Sequence, residues 1–352
     1  MNLQQVWPLP TLPRPIVIIG CGGIVTDAHL PAYLKAGLTV AGLFDIDPVR
    51  SRQVAEEFGV GSVFKTLEQA VAQNEVVFDL ALPPEHIVST LNALPNGATV
   101  LIQKPLGRNF KEAVEIAALC QKKNLIAATN FQLRFSAIML ALRDAIEKGK
   151  IGDVTDLSIH LTLRQPWKLW PFMEDLEAVE VIMHSIHYLD WIRSVLGEPQ
   201  GVYCKSVAHR DFPNLADTRT STILDYGDSV KCTLSLNHTW NHGGPYQEAG
   251  VRIDGTKGAA YIKLGLLLNY PEGEPEELHL CDQNQTWQQM PINHRWFPDA
   301  FIGVMSNLQR FAADEDNVLH TAVADSVGTM ALVEACWRSS QSGATPIPAF
   351  SA

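Results

Sequence analysis

No apolar run in this 352-residue chain approaches the roughly 20 residues that a membrane-spanning helix needs; the longest are stretches such as LTVAGLF and TVLI. Basic blocks are missing too. No run of Lys or Arg exceeds the pair at 122–123, and the formal net charge is −11, so neither nucleic acid nor an anionic membrane is an expected partner. The six cysteines are scattered, with the closest two (Cys204 and Cys232) 28 residues apart, which suits neither a zinc knuckle nor a disulfide framework. They read as reduced thiols of a cytoplasmic protein. The opening MNLQQVWPLPTL lacks the basic start, apolar stretch and small-residue cleavage site of a signal peptide, and reads as a loose leader. What the chain does have is a 46% hydrophobic composition, enough for the cores of two domains.

Two grammars divide the sequence. From Pro15 to about Ala128, short β-branched runs (PIVIIG, LTVAGLFD, VVFDLAL, TVLIQ) alternate with amphipathic segments such as PVRSRQVAEEFG and FKEAVEIAALCQKKN. That alternation predicts right-handed crossovers and a doubly wound parallel sheet, placed at residues 14–128. After a helix over SAIMLALRDAIEKGKIG come longer alternating strands: VTDLSIHLTLR, GVYCKSVAH, TSTILDY, SVKCTLSLNHTW, EAGVRIDG and GAAYIKL. They predict a second α/β domain over residues 129–352 with a large, mostly antiparallel open sheet, YGDS as a hairpin turn, one helix near Leu176 to Leu196, another near VADSVGTMALVEACWRSSQSG and a Pro-rich tail.

The first strand runs straight into CGGIVTDAHLPAYLKAG. Gly20, Gly22, Gly23 and Ile24 therefore sit at a strand-to-helix turn, where missing Cβ atoms and a helix dipole favour a pyrophosphate. The third glycine of the usual fingerprint is replaced by Val25, so an ordinary glycine turn explains this motif equally well. Asp45 lies 25 residues after Gly20, at the end of the second strand, where an acid binds an adenosine ribose and repels a 2′-phosphate. That spacing points to NAD, with NADP less favoured. The alternative is that Asp45 and Asp47 only cap the helix that begins in DIDPVR.

GCGGIVTDAHLPAY, LPPEHIVSTL, QKPL, NFQLRF, HSIHYLD and DGTKGAAYIK, in this order, resemble the glucose-fructose oxidoreductase, inositol dehydrogenase and rhizopine catabolism (Gfo/Idh/MocA) family from about Pro15 to the closing helix. The resemblance implies a dinucleotide domain followed by an α/β domain, with a small polyhydroxylated substrate (sugar, sugar acid or inositol) held between them and oxidised or reduced by NAD(P). It also implies that Lys104 and His187 are the catalytic pair, with Lys104 beside the cofactor as well, and that Pro83 and His86 form a cofactor-side turn. Two positions depart from the family pattern. Gln103 stands where Glu is usual, and Met183 stands where an Asp usually partners the histidine.

Oxidising a carbinol needs a base, a group that stabilises the incipient alkoxide and a hydride acceptor. His187 is assigned the first task and Lys104 the second. His184, His187 and Asp190 follow one another at helical spacing, so a metal site and satisfied core histidines both stand beside catalysis; the reading carried forward has no metal. Arg134 and the aromatics Trp167, Trp170 and Phe172 fit either a sugar-facing wall or plain packing. NHTWNHGG, with His238 and His242, reads as a strand end and loop. Met183→Asp is expected to be tolerated. Apolar alternation in SVKCTLSLNH and GAAYIKLGLLL suggests a face for a homodimer or homotetramer. The functional reading is an NAD-dependent dehydrogenase; its rivals are a redox-assisted glycosidase and an inactive dinucleotide-binding sensor.

Overall fold

The computed structural model describes residues 3–270 and 273–347, so the last residues of the Pro-rich tail lie outside the described residues. Five parallel strands form the first sheet: β1 (Ile16–Ile19), β2 (Val40–Phe44), β3 (Val77–Leu80), β4 (Thr99–Ile102) and β5 (Ile126–Thr129), in the order β2-β1-β3-β4-β5. β1, β3 and β4 are buried along their whole length, because helices cover both faces of a parallel sheet. The helices of this half are α1 (Leu30–Lys35), α2 (Pro48–Phe58), α3 (Leu67–Val71), α4 (Ile87–Ala93) and α5 (Phe110–Lys122).

After α6 (Ala137–Glu147) comes an eight-stranded sheet: β6 (Val154–Thr162), β7 (Gly201–Val207), β8 (Arg219–Asp225), β9 (Lys231–Asn237), β10 (Glu248–Gly255), β11 (Ala259–Lys263), β12 (Glu277–Cys281) and β13 (Trp287–Met290). Its order is β13-β12-β11-β10-β6-β9-β8-β7, antiparallel except between β6 and β9. Helices α7 (Ile186–Leu196), α8 (Asp299–Ala312) and α9 (Val323–Gln341) complete the chain. The edge strand β7 is sealed by α9. Ser339 Oγ and Ser340 Oγ accept from the amides of Cys204 and Ser206 at 2.9 Å, bonds that a lone edge strand would leave open to another chain.

Three expectations change. The leader is packed rather than loose: Leu3 is buried, Trp7 lies edge-on to Phe135 at 5.4 Å and its Nε1 donates to Asp316 at 2.8 Å. The apolar alternation in β9 and β11 serves the chain's own core, since Cys232, Leu234, Leu236, Ala260 and Ile262 are buried in this single chain. The other face carries Ser158, His160, Thr233, Arg252 and Tyr261, with Tyr203 and Ile223 exposed near the β7 edge. Strands β12 and β13 and helix α8 were not expected. No helix among the described residues is long and apolar enough to cross a membrane.

Candidate active site

The carboxyl ends of β1 to β4 line up, so the loops that follow them form one edge. Gly20 takes φ +97°, and a Cβ there would stand 2.4 Å from the Ala81 carbonyl oxygen, so only glycine fits. A Cβ on Gly22 would meet nothing within 4 Å: the loop is open on that side, as a backbone that cradles a pyrophosphate must be. The helix beyond is wound as a π-turn over Val25–His29 before α1, and Ile24, which precedes it, packs against the core. Asp45 Oδ2 accepts from the Cys21 amide at 2.7 Å, and its Oδ1 accepts from the Asp47 amide at 2.8 Å. Capping falls to Asp47 instead, whose carboxylate accepts from Val49 and Arg50. Capping thus belongs to Asp47, and the Asp45 carboxylate lies against the glycine loop. Pro83 and His86 bracket the short 3-10 turn Pro84–His86 after β3, both exposed.

Lys104 follows β4. Its Nζ donates to the Met183 carbonyl at 3.1 Å, one turn before His187. Burial pushes its ammonium down to about 8. Burial, then the charge of Lys104, then His184 hold His187 well below the usual imidazole range, so it stands neutral and able to accept a proton. His187 Nδ1 is buried with no hydrogen-bond partner among the described residues. Gln103 turns back on the chain, its Oε1 accepting from the Lys104 amide at 3.0 Å.

Met183 packs beside Trp167, Trp170 and Leu176, against the buried Met173, Val179 and Leu215. An aspartate there would border an apolar cluster, which weighs against the expected tolerance of Met183→Asp. Arg134 is held by ion pairs within the fold. Its Nε and Nη2 donate to the buried Asp190 at 2.6 Å each, and Nη2 also reaches Asp325. Asp190 is thereby unavailable to the histidines, so the His184, His187 and Asp190 metal site does not form. Trp170 lies against Tyr270, and Phe172 is half exposed.

The sequence missed a cluster on the turn that precedes α7. Glu180 is fully buried and begins the π-wound turn Glu180–Ser185; His184 follows one turn later, and His238 arrives from the end of β9. Burial acts to raise the Glu180 carboxyl, but His238 and His184 outweigh it and draw it down to about 2. His238 is therefore not a plain loop residue, whereas His242 is exposed against Trp240. Only the helical spacing of Glu180 and His184 was visible in advance. A cavity of about 740 Å³ is lined by Asp27 of the first domain and by Leu169, Tyr270, Glu276 and Trp296 of the second; burial pushes Glu276 up to about 7.

With this geometry in place, the comparisons with known proteins are consistent throughout. Residues 14–131 match the sequence model of the "Oxidoreductase family, NAD-binding Rossmann fold", and residues 139–261 match that of the "GFO/IDH/MocA C-terminal domain". The chain belongs to the Gfo/Idh/MocA family. It is thus an oxidoreductase with an NAD-binding Rossmann domain. A D-apiose dehydrogenase of Rhizobium rhizogenes is 23% identical over 93% of this chain and 95% of its own length. An inositol 2-dehydrogenase of Burkholderia cenocepacia is 26% identical over 63% and 66%. Among solved structures, an Agrobacterium radiobacter oxidoreductase in complex with NAD+, L-tartaric acid and magnesium superposes with a TM-score of 0.79 at 18% identity, over 94% of this chain and 97% of that one. A levoglucosan dehydrogenase in complex with NADH and levoglucosan gives 0.78 at 16% identity, over 94% and 98%.

Proposed function

We propose that this chain is an NAD-dependent dehydrogenase that exchanges a hydride with a secondary hydroxyl of a sugar, sugar acid or cyclitol, in a cleft between a dinucleotide domain (residues 14–128) and a substrate domain (residues 129–352). The observation that carries the reading is the bond from Lys104 Nζ to the Met183 carbonyl: it sets an ammonium from the dinucleotide domain beside a neutral histidine of the second. Bound nicotinamide supplies the hydride acceptor. His187 takes the hydroxyl proton through a ring nitrogen, and Lys104 orients the hydroxyl and stabilises the charge that develops on its oxygen. Gly20, Gly22, Gly23 and Ile24 hold the pyrophosphate, Asp45 the adenosine ribose, and Pro83 and His86 the cofactor-side turn. Asp45 favours NAD over NADP, because a carboxylate repels a 2′-phosphate.

The relatives named for D-apiose and inositol, and the neighbour that holds levoglucosan, support a polyhydroxylated substrate. The six free thiols fit a reducing cytoplasm. Exposed Tyr203 and Ile223 on the outer sheet face favour assembly as a homodimer or homotetramer. The test is a spectrophotometric screen for NADH formation across polyols, aldoses, cyclitols and sugar acids. Tight NAD binding with no turnover on any of them would replace the dehydrogenase by a sensing protein.

A further inference from the structure

Glu180, His184 and His238 bring three potential metal-ligand atoms together in one largely buried place. His238 Nδ1 lies 2.7 Å and His184 Nδ1 3.4 Å from the same Glu180 Oε2, and the potential ligand atoms of the three residues all lie within 4.8 Å of one another. Yet these three atoms are buried without a properly aligned hydrogen-bond partner among the described residues. The imidazoles are stacked, 4.3 Å apart and 20° from parallel, so neither presents a ring N–H to the other. The frame around them is fixed. Asp217 Oδ1 accepts from the amides of Val179 and Glu180, Ser185 Oγ donates to Glu180 Oε1, and Trp167 stands edge-on to His184 at 5.4 Å. Three buried ligand atoms, paired electrostatically but without an aligned hydrogen bond among the described residues, form an arrangement that a bound cation would also satisfy.

We propose that Glu180, His184 and His238 bind one divalent transition-metal ion of the zinc class. One carboxylate and two imidazoles form a donor set suited to such ions, three protein ligands with further positions open, whereas Mg²⁺ and Ca²⁺ favour oxygen-only shells. The open side is that of His184, whose side chain keeps 13% of its surface exposed while Glu180 and His238 are closed off. Met183, whose carbonyl holds Lys104, is the adjacent residue. A vicinal diol or α-hydroxy acid would complete the coordination through its oxygens; that part rests on the dehydrogenase reading, the metal site itself does not.

The test uses the whole protein, dialysed against chelator and titrated with Co²⁺, with the visible d–d absorption as readout and Zn²⁺ as competitor. The expected result is one equivalent bound at about micromolar affinity or tighter, displaced by Zn²⁺. Glu180→Gln and His238→Ala should each weaken binding at least tenfold, with folding confirmed by circular dichroism, while replacement of the exposed histidine, His242→Ala, leaves the spectrum in place. No saturable Co²⁺ spectrum in the folded wild type, or an unchanged one in both ligand variants, overturns the site. NAD titration and turnover are measured on the same samples. Metal binding without turnover removes the dehydrogenase reading alone, and turnover with no metal bound removes the metal site alone.

Discussion

Glu276 offers a stability change whose size and pH dependence both follow from its surroundings. It lines the large cavity, and burial, reinforced by Asp299 and only partly offset by the Trp296 amide, lifts its carboxyl from 4.5 to about 7. Below the ordinary carboxylate value both folded and unfolded chains hold this proton, and the group costs nothing. As pH rises through that value the unfolded chain releases its proton first, so stability falls until the folded carboxyl also ionises near 7. A displacement of this size corresponds to roughly 3 kcal/mol at most. Glu276→Gln keeps the shape and removes the cost. With an unfolding entropy of about 2 cal/mol/K per residue, a 352-residue chain should gain about 4 °C in Tm near pH 8 and nothing near pH 4. Thermal unfolding of both proteins at the two pH values measures this. An equal gain at both, or a loss near pH 8, would refute the assignment of a buried, high-pKa carboxyl.

Four further outcomes are expected. Lys104→Met and His187→Ala should each lower kcat by about 100-fold or more with NAD affinity nearly unchanged, as steady-state kinetics and separate cofactor titrations would show. NAD should bind about tenfold tighter than NADP, a difference of about 1.4 kcal/mol, and calorimetry on Asp45→Ser should find that preference gone. Asp190→Asn strips the buried Arg134 of its main partner and should cost about 3–5 kcal/mol in denaturant unfolding. Met183→Asp places a carboxylate in the apolar cluster around Met173 and should lower Tm, against what the family pattern alone suggests.

The parallel sheet was legible because its strands are continuous β-branched runs between amphipathic helices, and β6 to β11 because strict alternation marks strands buried on one face only. Strands β12 and β13 escaped notice: Glu277–Cys281 and Trp287–Met290 are short, and most of Trp287–Met290 faces solvent, so its composition is that of a loop. The glycine turn, Asp45, Lys104 and His187 were proposed as site residues from spacing and family pattern. The Glu180 cluster was not, because His238 lies 54 residues after His184 and only the pairing of β9 with β6 and β8 carries it to the turn before α7. Arg134 stayed open between a sugar-facing wall and packing because nothing in NFQLRF announces that Asp190 and Asp325 will surround it.

The two departures from the family pattern describe a site whose negative charge has been moved. Gln103 brings no carboxylate to Lys104 and spends its side-chain oxygen on the backbone; Met183 brings none to His187 and turns its side chain into an apolar cluster. The groups that shift His187 are burial, Lys104 and His184, and no acid is among them. The acid of this segment is Glu180, three residues before Met183 and committed to His184 and His238. His187 is thereby held below the usual imidazole range, which makes it a weaker base, and an imidazolium formed on it would stand beside the like charge of Lys104. A weaker base takes a proton more readily from an acidified hydroxyl. Lys104 provides part of that acidification, and a cation held by Glu180, His184 and His238 would provide more by binding a substrate oxygen as a Lewis acid. On this reasoning the carboxylate that the family pattern sets behind the histidine has its counterpart here in Glu180, which with a bound cation would act on the substrate side, by holding the charge that makes the proton easier to remove.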